Sequence, residues 1–411
     1  MQRVRMSLPY FKDFGWEAEV VVVDENYIDL VKDPFLLESI PKNIKIHTVK
    51  ALSKRWTSKI GLGSIALRSL FFYKKKVNIL LKKNRFDLIY FSTTQFPLLI
   101  LGTYWKKKFG IPFVIDMQDP WHSEYYQDKP KAELPPKYWF SYPLNKYLEP
   151  IAMKQVDGLI SVSSRYLEVL EDRYPRLKNI PKSIITFATF KADFEWVKNN
   201  SIEFNDQILK ESDFIEVVYI GRGGYDMHKA LNLLFCGFKM GLDKDPNQFE
   251  KIRFNFIGTS YAAAGTGIKS VLPLAKSLDI EKYVSEKTDR IPYYQNIYTL
   301  LEADLLLIIG SDDPAYTASK IYPYILAEKP ILSFFHSASS AFKIIQNSNA
   351  GEPISIDTIN DQKITDVYER IQHLISSRKD KALIDWEYLK QFSAETMTEK
   401  QCILFNQIVN D

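Results

Sequence analysis

Ile215-Glu-Val-Val-Tyr-Ile-Gly-Arg-Gly-Gly224 is the stretch on which the fold turns. Residues 215–220 are a short β-branched, apolar run, the pattern of a strand buried on both faces of a parallel sheet. The run stops in glycines, and Lys229–Gly241 beyond them has helical period. Strand, tight turn, helix is one β-α unit. The unit recurs downstream, where strands are predicted at Ile252–Gly258, Val284–Glu286, Asp304–Ile309 and Pro330–Phe335. Helices are predicted between and after them at Ser270–Leu278, Tyr294–Ala303, Thr317–Ala327, Ala341–Gln346 and Val367–Ser377. It recurs upstream too, with strands at Glu19–Asp24, Lys45–Val49, Asp87–Ser92, Pro112–Asp116, Gly158–Ser161 and Ser183–Phe187. Helices over Ser64–Lys83, Pro97–Phe109, Leu144–Gln155 and Ser164–Arg173 separate these. Such alternation predicts parallel sheets with helices on both faces, here two in tandem.

The chain therefore divides into residues 1–190 and 214–385, both Rossmann-like, with polar residues 191–213 read as a linker. The tail, 386–411, carries apolar residues at helical spacing and is expected to cross back to the first domain. At 411 residues there is room for two such cores. Cys236 and Cys402 lie in apolar helical stretches and read as buried small hydrophobes. With five histidines they show no metal-ligand spacing. No uncharged apolar run is long enough to span a bilayer, and the first residues lack the apolar core of an export signal. The reading is cytoplasmic. A net charge of +4 gives no ground for nucleic acid, and no recognition motif accompanies the basic clusters.

Several stretches carry chemistry. Gly221-Arg222-Gly223-Gly224 is either a plain tight turn or a phosphate seat, with Arg222 as a bidentate clamp and Lys229 as a second charge. Ser319 and Lys320, with Tyr316 and Thr317 before them, lie where the helix after Ser311-Asp312-Asp313-Pro314 begins. They either cap it or face an anion. Gly258 closes another strand and either lines a pocket or serves a loop. Asp119 and His122 follow the strand Pro112–Asp116, at a sheet's carboxyl end. There they are candidates to take or position a proton, with Asp116 as a rival and a turn cap as the plain alternative. Lys74–Lys83 and Lys106–Lys108 form basic, aromatic-rich faces that suit anionic lipid or plain solvent.

Together Phe14-Gly15-Trp16-Glu17, Asp116-Met117-Gln118-Asp119-Pro120-Trp121, Tyr219-Ile220-Gly221-Arg222 and Tyr316–Tyr324 followed by Lys329-Pro330 resemble the GT-B glycosyltransferases. The resemblance is to the family 4-like group that builds bacterial surface polysaccharides. It covers nearly the whole chain. It implies two Rossmann-like domains facing a cleft. The implied reaction is retaining, metal-independent transfer from a nucleotide-diphosphate sugar to a saccharide or lipid-linked acceptor, on the inner face of the membrane. It places Gly221, Arg222, Gly223, Lys229, Gly258, Tyr316, Thr317, Ser319 and Lys320 around the donor, and Arg290 and Ile291 against its base. No cofactor is expected beyond the donor itself. Three features depart from the pattern. The opening strand is missing, Ala315 and Pro323 stand where relatives carry glutamates, and Gln118 replaces an arginine. A non-catalytic binding or scaffold relative is the alternative reading.

Overall fold

The computed structural model describes the chain except residues 1, 29–32, 58–62, 123, 125, 126, 128–133, 135–137, 205–208, 210–212, 315, 318, 379–381 and 411. Ala315 and part of the expected linker thus lie outside the described residues. The chain forms two compact units, one of Met1–Leu30, Ile40–Phe187 and Ala394–Asp411, the other of Val31–Ser39 and Ala188–Ser393. We call them units 1 and 2.

Among the described residues all named strands pair in parallel. Unit 1 holds β1 (Glu19–Val23), β2 (Lys45–Val49), β3 (Ile89–Ser92), β4 (Phe113–Met117), β5 (Gly158–Ser161) and β6 (Lys182–Ile184). They form a pair β1-β2 and a separate sheet β3-β4-β5-β6. Both edges of that division share one apolar layer. Val21 of β1 and Ile89 and Phe91 of β3 pack against Val77, Leu101 and Trp105 from the helices Ile65–Lys83 and Ile100–Phe109.

Unit 2 holds β7 (Ile215–Ile220), β8 (Ile252–Ile257), β9 (Val284–Lys287), β10 (Leu305–Ile309), β11 (Ile331–Phe335) and β12 (Ile354–Ser355). The order is β12-β11-β10-β7-β8-β9. Every residue of β10 and β11 is buried, as continuous apolar runs require in the middle of a sheet covered on both faces. The helices His228–Lys244 and Asp361–Ser376 approach closely at Gly237, where a Cβ would fall 2.4 Å from Val367 Cγ1.

Two segments differ from the sequence expectation. Residues 191–213, read as a linker, contain a helix, Lys191–Asn199, whose Phe194 and Val197 are buried in unit 2. Its apolar stripe is thin among charges, which hid it. The helix predicted over Thr317–Ala327 is only Ile321–Leu326, with Ser319 and Lys320 in a turn before it.

Segment Val31–Ser39 leaves unit 1 between β1 and β2 and packs in unit 2. Phe35 lies 4.9 Å from the Trp196 ring and 5.9 Å from Phe204. Asp33 Oδ2 accepts from the Tyr294 amide at 2.8 Å. At the other end, helix Ala394–Asn410 belongs to unit 1. Its Phe405 packs against Phe11, Trp16 and Tyr90, and Gln401 donates to Ser7 Oγ.

Arg3, in the helix Gln2–Ser7, is only 1% exposed. Its Nη1 and Nη2 donate to the carbonyls of Thr186 and Ile185 at 3.0 and 2.8 Å. Its Nε sits 2.8 Å from Asp116 Oδ2 without a hydrogen bond aligned between them, so this contact is Coulombic. The same carboxylate oxygen accepts from Ser92 Oγ at 2.7 Å, Gln118 Nε2 at 2.7 Å and Tyr90 Oη at 3.2 Å. Removing one partner of a buried ion pair leaves the other charge uncompensated. Arg3→Met is expected to destabilise the protein by about 3 kcal/mol or more in urea unfolding. Asp116→Asn in the same background restores part of it. An unshifted midpoint in Arg3→Met excludes a structural role for the pair.

Candidate functional site

The carboxyl end of β7 is where unit 2 gathers its chemistry. Beyond Ile220 the chain keeps pairing with its neighbour: the Gly221 amide donates to the Ile257 carbonyl and the Gly223 amide to the Thr259 carbonyl, both at 2.9 Å. These two amides are therefore engaged in extending the sheet. The glycines also make room. A Cβ on Gly221 would fall 2.7 Å from Lys320 Nζ and 3.0 Å from Tyr219 Oη. One on Gly223 would meet Ser270 Oγ at 2.6 Å.

Lys320 reaches back from the turn before helix Ile321–Leu326. Its Nζ donates to Tyr219 Oη at 2.7 Å and lies 4.3 Å from the centre of that ring. Tyr219 Oη in turn donates to the Arg222 carbonyl at 2.7 Å. The hydrogen-bond partner of this ammonium is a phenol, not a carboxylate. Burial first, and then the nearby Arg222 charge, pull Lys320 down to about 7 from the ordinary 10.5. With only six residues, helix Ile321–Leu326 offers little macrodipole, so the charge at this spot comes from Lys320.

Arg222 forms a bidentate pair with Asp226, at 2.7 and 2.5 Å. Burial works to raise the Asp226 carboxyl, but the Arg222 guanidinium outweighs it and holds the group below its ordinary range. Tyr316 feels the Arg222 and Asp226 charges, and burial above all pushes its phenol up to about 12. Tyr261 acts electrostatically on both Arg222 and Tyr316, and its ring stacks 3.9 Å from the Arg290 guanidinium. Tyr324 Oη accepts from the Ile220 amide at 2.7 Å.

The other expected residues scatter more. Gly258 has φ +74° and lies under the Arg290 side chain, its would-be Cβ 3.6 Å from Cγ. Ile291 follows Arg290 into helix Tyr293–Glu302 and is half-buried. Thr317 is half-buried and Ser319 exposed. Lys229 donates to the Asp357 carbonyl at 2.9 Å, just past β12, three strands from β7 in the sheet order. In unit 1, Asp119 is exposed on the turn after β4, whereas His122 is buried. His122 Nδ1 lies 3.8 Å from Glu149 Oε1, and neither ring nitrogen has a hydrogen bond. Burial, then the Arg173 charge, lower the His122 pKa, and burial raises Glu149 even though Arg173 and Tyr174 both donate to it.

The sequence reading missed Asp226, Tyr219 and Glu286. The i, i+4 spacing of Arg222 and Asp226 was a usable signal. Tyr219 sits in a strand where an aromatic reads as core. The buried Glu286 accepts from Thr259 Oγ1 and from the amides of Ser270, Val271 and Leu272, so it holds this side of the loop. Among the described residues no group of three or more His, Cys, Asp or Glu side chains is placed to hold a metal ion.

No known family's sequence profile matches the chain, and no curated protein does. Solved structures do. Anabaena HepE in complex with UDP and glucose matches at a TM-score of 0.58 and 14% identity, over 98% of this chain and 94% of that one. An α,α-trehalose-phosphate synthase (UDP-forming) from Burkholderia vietnamiensis matches at 0.57 and 10%, over 95% and 100%. A glycosyltransferase from Rickettsia africae matches at 0.57 and 13%, over 100% and 94%. At these identities the likeness establishes the fold, which is GT-B.

A lysine whose folded pKa lies below its unfolded value costs stability while it is charged in the fold. That cost is fully present below about pH 7 and is relieved as pH rises from there towards 10.5. Lys320→Met removes it. The variant is expected to melt higher than the parent at about pH 6, with a gap that narrows at about pH 9. A gap independent of pH means that Lys320 keeps its proton throughout.

Proposed function

We propose that this chain is a glycosyltransferase that moves a sugar from a nucleotide-diphosphate sugar to a saccharide or lipid-linked acceptor. The observation that carries this is the Lys320 ammonium, half-buried beside Gly221 with a phenol as its partner and Arg222 close by. Two basic groups at a strand's carboxyl end, one of them without a carboxylate bonded to it, make a seat that an anion completes. A departing nucleoside diphosphate gains negative charge as the glycosidic bond breaks, and fixed cations stabilise that charge most where water is excluded. Arg222 and Lys320 would do this work without a metal. Tyr316 and the Tyr261–Arg290 stack border the same seat. UDP bound to HepE, which shares the fold, supports a uridine diphosphate donor as the first to try. The retaining outcome rests on the resemblance to family 4-like enzymes, as does a role in surface polysaccharide synthesis.

The acceptor would be met by unit 1. One face of its helix Ile65–Lys83 exposes Phe71, Lys75, Ile79, Lys82 and Lys83, and the nearby Trp56 is 70% exposed. Apolar and basic groups interleaved on one face suit an anionic bilayer, and with it a lipid-linked acceptor. Lys106 is not part of that surface: it is bonded to Asp157 and the Gln155 carbonyl. Lys74 and Lys108 both lie over the Tyr104 ring. No helix among the described residues is long and apolar enough to cross a membrane.

A non-catalytic relative remains the second reading, favoured by Pro323, which offers no acceptor where relatives carry glutamate. Binding of a donor without release of its sugar, to acceptor or water, would select it.

Titration calorimetry with the diphosphates of uridine, guanosine, adenosine and cytidine tests the donor site. One is expected to bind, about tenfold or more weaker in Arg222→Ala and Lys320→Ala. Since a dianion raises the Lys320 pKa, binding takes up a proton above about pH 7, and affinity falls as pH rises. No binding by any of them to folded protein overturns the proposal. On vesicles rich in anionic lipid, charge reversal at Lys75, Lys82 and Lys83 is expected to abolish co-flotation; unchanged flotation removes this face from the account.

A further inference from the structure

The Arg222–Asp226 pair sits where the proposed donor site needs a free guanidinium. Both Nη atoms of Arg222 are occupied by the two Asp226 oxygens, at 2.7 and 2.5 Å. A carboxylate presents the same two-oxygen bite as a phosphate. Asp226 does not merely follow Arg222, for other bonds fix it. Its carbonyl accepts from the Asp312 amide at 3.1 Å, and Ser311 hydrogen-bonds its carboxylate. The pair has a dedicated seat. It lies over the bare Cα of Gly224, where a Cβ would fall 2.3 Å from Arg222 Nη1 and 2.4 Å from Asp226 Oδ1. Nor is it deeply sunk: the side chains are 33% and 21% exposed, so an incoming ligand meets it from solvent.

We propose that Asp226 is a built-in stand-in for the donor's phosphate, and that it sets how much charge a ligand must bring to take Arg222. This deepens the donor-site reading and rests on it. With Asp226 in place, Arg222 adds no net positive charge to the seat. A ligand wins the guanidinium only by offering more than one carboxylate does. A diphosphate, with two linked phosphoryl groups reaching Lys320 and Arg222 together, meets that condition. A lone phosphate, held by one of them at a time, does not. Asp226 is thereby a specificity-determining residue, selecting diphosphates against the monophosphates and free phosphate that would otherwise fill the seat.

The test compares inorganic pyrophosphate with inorganic phosphate by titration calorimetry on the full chain, in the parent, Asp226→Asn, Asp226→Ser and Arg222→Ala/Asp226→Asn. An exposed or half-exposed pair is weak, so the expected change is modest. Both single variants should bind pyrophosphate about threefold to tenfold tighter than the parent. Phosphate should gain at least as much, and the double variant should lose the gain. Equal or weaker binding in folded Asp226→Asn and Asp226→Ser overturns the proposal and makes Asp226 an orienting partner of Arg222; the donor site then still stands. Pyrophosphate bound by no form, parent included, sinks the donor site itself and this proposal with it. A crystal structure of the parent with pyrophosphate reads the point without any substitution. Arg222 turned from Asp226 onto the ligand supports the proposal, and an intact pair beside a bound ligand overturns it.

Discussion

An ammonium held under a glycine by a phenol oxygen is the constraint around which unit 2 is organised. Lys320 Nζ needs the space a Gly221 side chain would take, the Tyr219 hydroxyl as its acceptor, and a chain path that brings Lys320 to the end of β7. Each requirement fixes something else. Tyr219 must alternate inward on β7, where its ring meets Phe256. Tyr324, from the helix after Lys320, bonds the Ile220 amide and ties that turn to the strand end. Burying a cation is costly unless something answers its charge.

The fold was largely legible because its signal is redundant. Runs such as 305–309 and 331–335 are too short for helices and read as buried parallel strands, and their alternation with helices leaves little choice of architecture. At Gly221 and Gly223 the amides donate to the Ile257 and Thr259 carbonyls, and the missing side chains admit Lys320 and Ser270. Sequence shows that a glycine is present; only packing shows what fills the space. The same limit hid the contacts of greatest consequence. Arg3 with Asp116, Lys229 with Asp357 and Glu286 with the Ser270–Leu272 amides join residues far apart in the chain. Asp226 was closer to legible, being one helical turn from Arg222, though a charged pair at that spacing ordinarily means a solvated surface.

Unit 1 is built on different terms. Its sheet is divided, and the polar groups at the carboxyl end of β3 and β4 are closed off by Arg3 rather than held open. One oxygen of Asp116, Oδ2, gathers Arg3, Ser92, Gln118 and Tyr90, while Oδ1 is buried without a hydrogen bond. His122 and Glu149 are the contrast: close, buried and incompletely bonded, with their pKa values moved towards the neutral forms of both.

The path of the chain has a consequence for how the protein is made. Unit 1 is interrupted by Val31–Ser39 and completed only by Ala394–Asp411. Domains that are continuous in sequence can fold as they leave the ribosome, N-terminal first. Here the first unit to be synthesised lacks the helix that covers Phe11, Trp16 and Tyr90 until all of unit 2 has been made. Those apolar faces stay uncovered for most of translation. Order of synthesis and order of completion are therefore opposed: the unit begun first is the one finished last.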